Sequence, residues 1–145
     1  MTRPKLFLDT SVLLAGLVST TGASAEILRL AEAKIVKIVL CETIIIESQR
    51  NIRKKIPQLL PLFYVALEKL KPIIEKDETE LNKTLRPHFP KDSDQIIIQT
   101  AQKAKPDFVL TLDKKHLLRP IISKLAGLNI VTPAEFMVWL RDEKN

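Results

Sequence analysis

The sequence predicts a three-layer α/β/α sandwich around a mainly parallel sheet, formed by a single domain over residues 1–145. Three observations carry this. Short apolar runs recur along the chain without alternating in polarity, as strands covered on both faces do. Between them lie longer stretches with helical periodicity or helix-start signals. The 145 residues are 46% hydrophobic, enough for one sizeable core and too apolar for general disorder.

The elements follow in order. "KLFL" at 5–8 is the first strand and ends on Asp9. "ASAEILRLAEA" at 23–33 reads as a helix whose Leu28 and Ala31 share a face with Ile27 or Ala25. "IVKIVL" at 35–40 is the second strand. A helix begins near Thr43 and runs through "IIIESQRNIRKKI" until Pro57 interrupts it. The next spans Leu60 to Leu70, with Pro61 tolerated in its first turn. "KPII" adds a short strand at 73–75, and the polar segment 76–91 holds one short helix, "ETELNKTL". "DQIIIQTAQKA" at 94–104 is a clear helix and leads into the strand "FVLTL" at 108–112. A helical stretch over 114–125 and a last strand, "LNIVT", follow. Thr132, Pro133 and Glu135 supply the cap, first-turn proline and reciprocal partner of a closing helix, on which Trp139 packs towards the body.

Composition bounds the function. Lys and Arg total 23 against 17 Asp and Glu, a formal charge of +6 that permits a polyanionic partner without requiring one. The three glycines argue against a glycine-rich phosphate loop. Cys41 is the only cysteine, which excludes an internal disulfide or a cysteine metal cluster and fits a small core residue. Asp9 interrupts the N-terminal apolar stretch too early for a signal peptide, and no run is long enough to span a membrane. The expected setting is the reducing cytoplasm.

Acidic residues at strand ends draw the functional reading, because parallel α/β folds gather their sites beyond the C-terminal ends of strands. Asp9 follows the first strand and Asp113 follows "VLTL" in the same relation. Either alone reads as a turn or cap residue. Asp94 and Asp92 open the helix at 94–104, where Asp92 with Gln95 resembles a cap and its partner, leaving Asp94 available. Glu47 lies about one turn inside the second helix, among Ile44 to Ile46. Carboxylates gathered at one place repel and raise one another's pKa values unless a hard divalent cation sits between them. Mg²⁺ or Mn²⁺ prefers such oxygen ligands and suits hydrolysis of a phosphodiester. Neither His88 nor His116 fits a metal-binding spacing.

In this order and spacing, "LFLDTSVLLAGL", Glu47, "DSDQIIIQTA", "VLTLDKKHL" and "IVTPAEFMVWL" resemble the PIN-domain family of metal-dependent nucleases over nearly the whole chain. The resemblance implies a parallel α/β/α fold and cleavage of RNA with Mg²⁺ or Mn²⁺. Asp9, Glu47, Asp94 and Asp113 would be the catalytic, metal-holding acids. Thr10, Ser11 and Thr111 would orient those carboxylates, with Asp92 an outer acid or a cap. Many small relatives are toxins held by an antitoxin and form homodimers; others mature ribosomal RNA. Ser11 stands where many relatives carry Asn, and Lys91 where some carry another acid.

For substrate binding, Arg50, Arg53 and Lys54 follow Glu47, and Lys114 and Lys115 follow Asp113. They are either a solvated face or a rim that tracks phosphates without reading sequence. Tyr64, Trp139 and five Phe are too few for an evident base-stacking platform, and "LLPLFYVAL" is core or a partner surface. Two alternatives stand beside a ribonuclease: a DNA- or structure-specific nuclease, and a non-catalytic nucleic-acid-binding protein. A response-regulator-like phosphoacceptor also places Asp after parallel strands, but its paired acids and late lysine are not convincingly present.

Overall fold

Leu6, Phe7 and Leu8 are completely buried, and the rest of the chain is arranged around them. The computed structural model describes residues 3–143. Among these, β1 (Lys5–Leu8), β2 (Lys37–Cys41), β3 (Ile73–Glu75), β4 (Phe108–Leu110) and β5 (Ile130–Val131) form one sheet in the order β3-β2-β1-β4-β5. Every pairing is parallel. Leu6 lies between Ile38 and Phe108, and Phe7 between Val39 and Val109, so the first strand is also the central one. The chain leaves β1 towards β2 and leaves β4 towards β5, on opposite sides. The switch in direction falls between the ends of β1 and β4, the position where open α/β sheets place their ligands.

Helices α1 (Thr10–Val18), α2 (Ala23–Glu32), α3 (Glu42–Lys55), α4 (Leu60–Leu70), α5 (Asp92–Ala104), α6 (Pro120–Ala126) and α7 (Pro133–Glu143) complete the sandwich. α2 packs against α1, α4 and α7, and α5 packs against α6, while α3 touches both α1 and α5. At Gly16 a side chain would meet Leu28 Cδ1 at 2.6 Å, so α1 and α2 approach as closely as they do only because no Cβ stands there. Phe108, Phe136 and Trp139 stack edge to face and face to face under α7. The capping box of α7 forms both of its bonds: Thr132 N donates to Glu135 Oε1 at 3.0 Å and Glu135 N to Thr132 Oγ1 at 3.1 Å.

Three local expectations are corrected. α1 was not anticipated; "TSVLLAGLV" is apolar all round and gives no polar face from which to read a helical period. "ETELNKTL" is not a helix. Residues 78–82 are irregular and tied to α5, where Glu78 N donates to Thr100 Oγ1, Asn82 N to Gln99 Oε1, and Gln99 Nε2 to Glu80 O, and residues 83–85 form a turn. Only a 3-10 turn at Arg86–His88 follows. Nor does Gln95 pair with Asp92 in a cap. Asp92 is the first residue of α5, and the fully buried Gln95 donates through Nε2 to Asn82 O and Gln99 Oε1.

α3, which carries Glu47, receives its cap from far away in sequence. Cys41 gives no side-chain cap. Instead Asp77, beyond β3, accepts from Thr43 N at 3.0 Å and from Thr43 Oγ1 at 2.6 Å. Asp77→Ala is therefore expected to cost about 1–2 kcal/mol, read from urea unfolding midpoints. A loss below ~0.3 kcal/mol would show that the cap contributes nothing. Cys41 itself is buried, and burial pushes its thiol up to about 12, so it is an inert core residue.

Candidate metal centre

Asp9 is the single residue between the end of β1 and the start of α1, the N-cap of that helix, and is only 7% exposed. Its backbone N–H extends the sheet by donating to Leu110 O at 3.0 Å. Its side chain is both a cap and something more. Oδ1 accepts from Thr10 N at 2.8 Å, the cap bond. Oδ2 accepts from Ser11 Oγ at 2.9 Å and, at 2.8 Å, from Oγ1 of Thr111, the residue just beyond β4. The two hydroxyls also accept: Leu112 N donates to Ser11 Oγ at 3.1 Å and Asp113 N to Thr111 Oγ1 at 3.0 Å. Each hydroxyl has one proton and its acceptor side is taken by a backbone N–H, so both protons are committed to Asp9. The end of β4 is thereby locked to the end of β1.

Asp113 is fixed on one oxygen only. Oδ1 accepts from Lys115 N and His116 N, both at 3.1 Å, which leaves Oδ2 facing His116 Nδ1 at 3.3 Å. Asp94, half-buried in the first turn of α5, completes a group in which one ligand atom each from Asp94, Asp113 and His116 lies within 4.8 Å of the others. Glu47, half-buried on α3, is reached by Thr10, whose Oγ1 donates to Glu47 Oε1 at 3.2 Å. Thus α1, α3, α5 and the loop after β4 each bring an acid to the same end of the sheet.

The electrostatics register this crowding. Burial raises the pKa of Asp9 against the lowering effect of its bonds to Thr111, Ser11 and Thr10. Burial also raises that of Asp94, and the charges of Asp9, Asp113 and Glu47 raise it further, with His116 opposing. A cluster of oxygens with one imidazole, drawn together at the cost of mutual repulsion, is a donor set that a divalent cation fits. Asp94, Asp113 and His116 would hold it, with Asp9 and Glu47 beside them.

A sign follows for stability. The folded forms of Asp9 and Asp94 hold their protons above the ordinary value of 3.8, so acidification from neutral protonates them in the fold before it does so in the unfolded chain. With chelator present, the contribution of these groups to stability should rise as pH falls towards about 4. With saturating Mn²⁺ the same acidification should destabilise, because protons and cation compete. Melting temperatures between pH 7.5 and 4.5 read both trends, and Asp94→Asn should flatten each. Identical trends with and without Mn²⁺ would rule out this coupling.

The remaining predicted residues divide. Asp92 stays outside the cluster: it is exposed and 3.9 Å from the Arg86 guanidinium. Arg50, Arg53 and Lys54 are exposed on α3 and line an open groove with Ile46 and Gln49. Lys114 and Lys115 are exposed directly beyond Asp113. None of these five basic residues is ion-paired among the described residues. His116 is the site member that sequence reasoning passed over. Its only signal was its place three residues after Asp113, a spacing that brings a turn back on itself. Arg119 secures that turn by donating from Nε to His116 O at 2.9 Å and from Nη2 to His88 O.

The profile of the PIN-domain family matches residues 5–115. No curated protein matches the chain significantly. Among solved structures, a chain in the crystal structure of VapBC2 from Rickettsia felis bound to a DNA fragment from their promoter is similar in fold. It has a TM-score of 0.68 and 17% identity over 88% of this chain and 98% of that one.

Proposed function

This chain belongs to the PIN-domain family, and we propose that it is a divalent-metal-dependent endoribonuclease using Mg²⁺ or Mn²⁺ in the cytoplasm. The observation that carries the proposal is the meeting of Asp9, Glu47, Asp94 and Asp113 from four separate elements at one end of the sheet. Bound there, the cation would activate water for attack on a phosphodiester and offset charge on the phosphate oxygens. The protein's own part is to hold the acids. Ser11 and Thr111 fix the orientation of Asp9, and the loop amides fix that of Asp113. The exposed cations Arg50, Arg53, Lys54, Lys114 and Lys115 suit a strand running past the acids, since contacts to phosphate position a polymer without reading its sequence.

A toxin held by an antitoxin is the biological form we propose for this activity. Its support is the shared fold with a chain of VapBC2, together with an apolar groove between α1, α2 and α4. Leu62 and Val65 line that groove and remain 48% and 44% exposed, as a surface awaiting a protein partner would be. A homodimer is part of the same proposal.

The test is cleavage of matched single-stranded RNA and DNA with Mg²⁺, with Mn²⁺ and with chelator. Cutting of RNA that chelator abolishes is the expected result. Preferential cutting of DNA would select the alternative nuclease, and no cutting of either polymer with any ion would overturn the enzymatic reading.

A further inference from the structure

We infer that His116 is a nitrogen ligand to the cation of this site and biases it towards Mn²⁺ and later transition ions over Mg²⁺. The inference rests on the metal-dependent reading above and adds a preference among metals to it.

The spacing of Asp113 and His116 is close to that of neighbouring ligands, with Asp94 near them. His116 Nδ1 and Asp113 Oδ2 are 3.3 Å apart, and the ligand atoms of Asp94, Asp113 and His116 all lie within 4.8 Å of one another. Around an octahedral ion with ligands at ~2.1 Å, adjacent donors are roughly 3 Å apart and opposite ones roughly 4 Å. Oδ2 is the oxygen of Asp113 that the backbone leaves free, since Oδ1 already accepts from two N–H groups. The imidazole is neither a loose surface group nor a core residue: its side chain is 27% exposed. Leu117, next in the chain, is 1% exposed and anchored in the core. Arg119 ties the carbonyl of His116 in place. The ring is therefore presented to Asp94 and Asp113 by a loop fixed on both sides.

The chemistry follows from the donor type. Four carboxylates alone would suit Mg²⁺ and Mn²⁺ alike. An imidazole nitrogen favours Mn²⁺, and Co²⁺ more strongly, while Mg²⁺ gains little from exchanging an oxygen for it. The bland alternative is that His116 only pairs with Asp113 across a turn, three residues apart. In that case its removal would affect all divalent ions equally.

The experiment uses the full chain. Mg²⁺, Mn²⁺ and Co²⁺ are titrated by calorimetry into wild type and His116→Ala, and electron spin echo spectroscopy of bound Mn²⁺ looks for coupling to a directly bound nitrogen. The expected results are nitrogen coupling in wild type, its loss in His116→Ala, and a fall in Mn²⁺ affinity of about tenfold or more. Mg²⁺ affinity should change by less than about threefold. The nitrogen coupling is read on the unaltered protein, so the inference stays testable if His116→Ala does not fold. Bound Mn²⁺ without nitrogen coupling would overturn the inference and leave the nuclease reading standing. Nitrogen coupling without any nucleic-acid cleavage would do the reverse. Failure to bind any divalent ion would overturn both.

Discussion

Asp9→Asn is expected to reduce metal-dependent cleavage by at least about a hundredfold while leaving the protein folded. Removing a partner that merely orients a metal ligand costs ~10–100-fold in affinity or activity, so a central acid should sit at or beyond the upper end. The fold should survive because the amide preserves shape and most bonds. Its carbonyl oxygen takes the place of Oδ2 and accepts from Ser11 and Thr111, whose protons point only there. The amide nitrogen then faces Thr10 N, and the helix loses its cap bond, a cost of about 1 kcal/mol. Against this, burial disfavours the Asp9 charge, and a neutral group recovers part of that cost. Melting temperature and cleavage rate, measured on the same preparation, decide the matter. A folded variant that cuts within about threefold of wild type would remove Asp9 from the catalytic set.

Thr111→Val should be the more damaging change to stability. The two side chains have nearly the same shape, so packing is kept and only the hydroxyl is lost. That hydroxyl is completely buried, donates to Asp9 Oδ2 at 2.8 Å and accepts from Asp113 N at 3.0 Å. Its removal orphans a backbone N–H and takes a donor from a buried carboxylate, at about 1–3 kcal/mol for each group left unsatisfied. The extra buried methyl returns about 0.8 kcal/mol. A net loss of about 2–3 kcal/mol is expected, with cleavage down ~10–100-fold because Asp9 and Asp113 lose the atom that joins them. Thr111→Ser keeps the hydroxyl and should retain most of the activity. If valine and serine behave alike, the hydroxyl has no part in holding the two acids.

Much of this architecture is readable from one sequence because burial on both faces leaves a plain mark. Leu6 to Leu8 and Phe108 to Leu110 are uninterrupted apolar runs because helices cover them above and below. Thr132 and Glu135 are equally plain, since a capping box is local and its residues lie three apart. What stays hidden is whatever distant groups decide. "ETELNKTL" has a helical composition, but Gln99 and Thr100 take its backbone groups, and tertiary bonds override propensity. Asp77 gives no sign that it caps a helix through Thr43, 34 residues earlier. The acids at strand ends could be placed because the fold class itself says where strand ends gather. His116 could not, because a lone histidine in a turn has no periodicity to betray its direction.

The strand order has a consequence for synthesis. A chain made from its N-terminus lays down the central strand first, yet one edge of β1 stays open until residues 108–110 exist to pair with it. Asp9 lacks its Thr111 donor for just as long. A nascent chain on the ribosome therefore carries three of the four acids, Asp9, Glu47 and Asp94, before it has the strand that locks them to Asp113. Chains stalled short of residue 108 should be protease-sensitive and without cleavage activity, whereas chains completed to residue 145 should resist protease and cut.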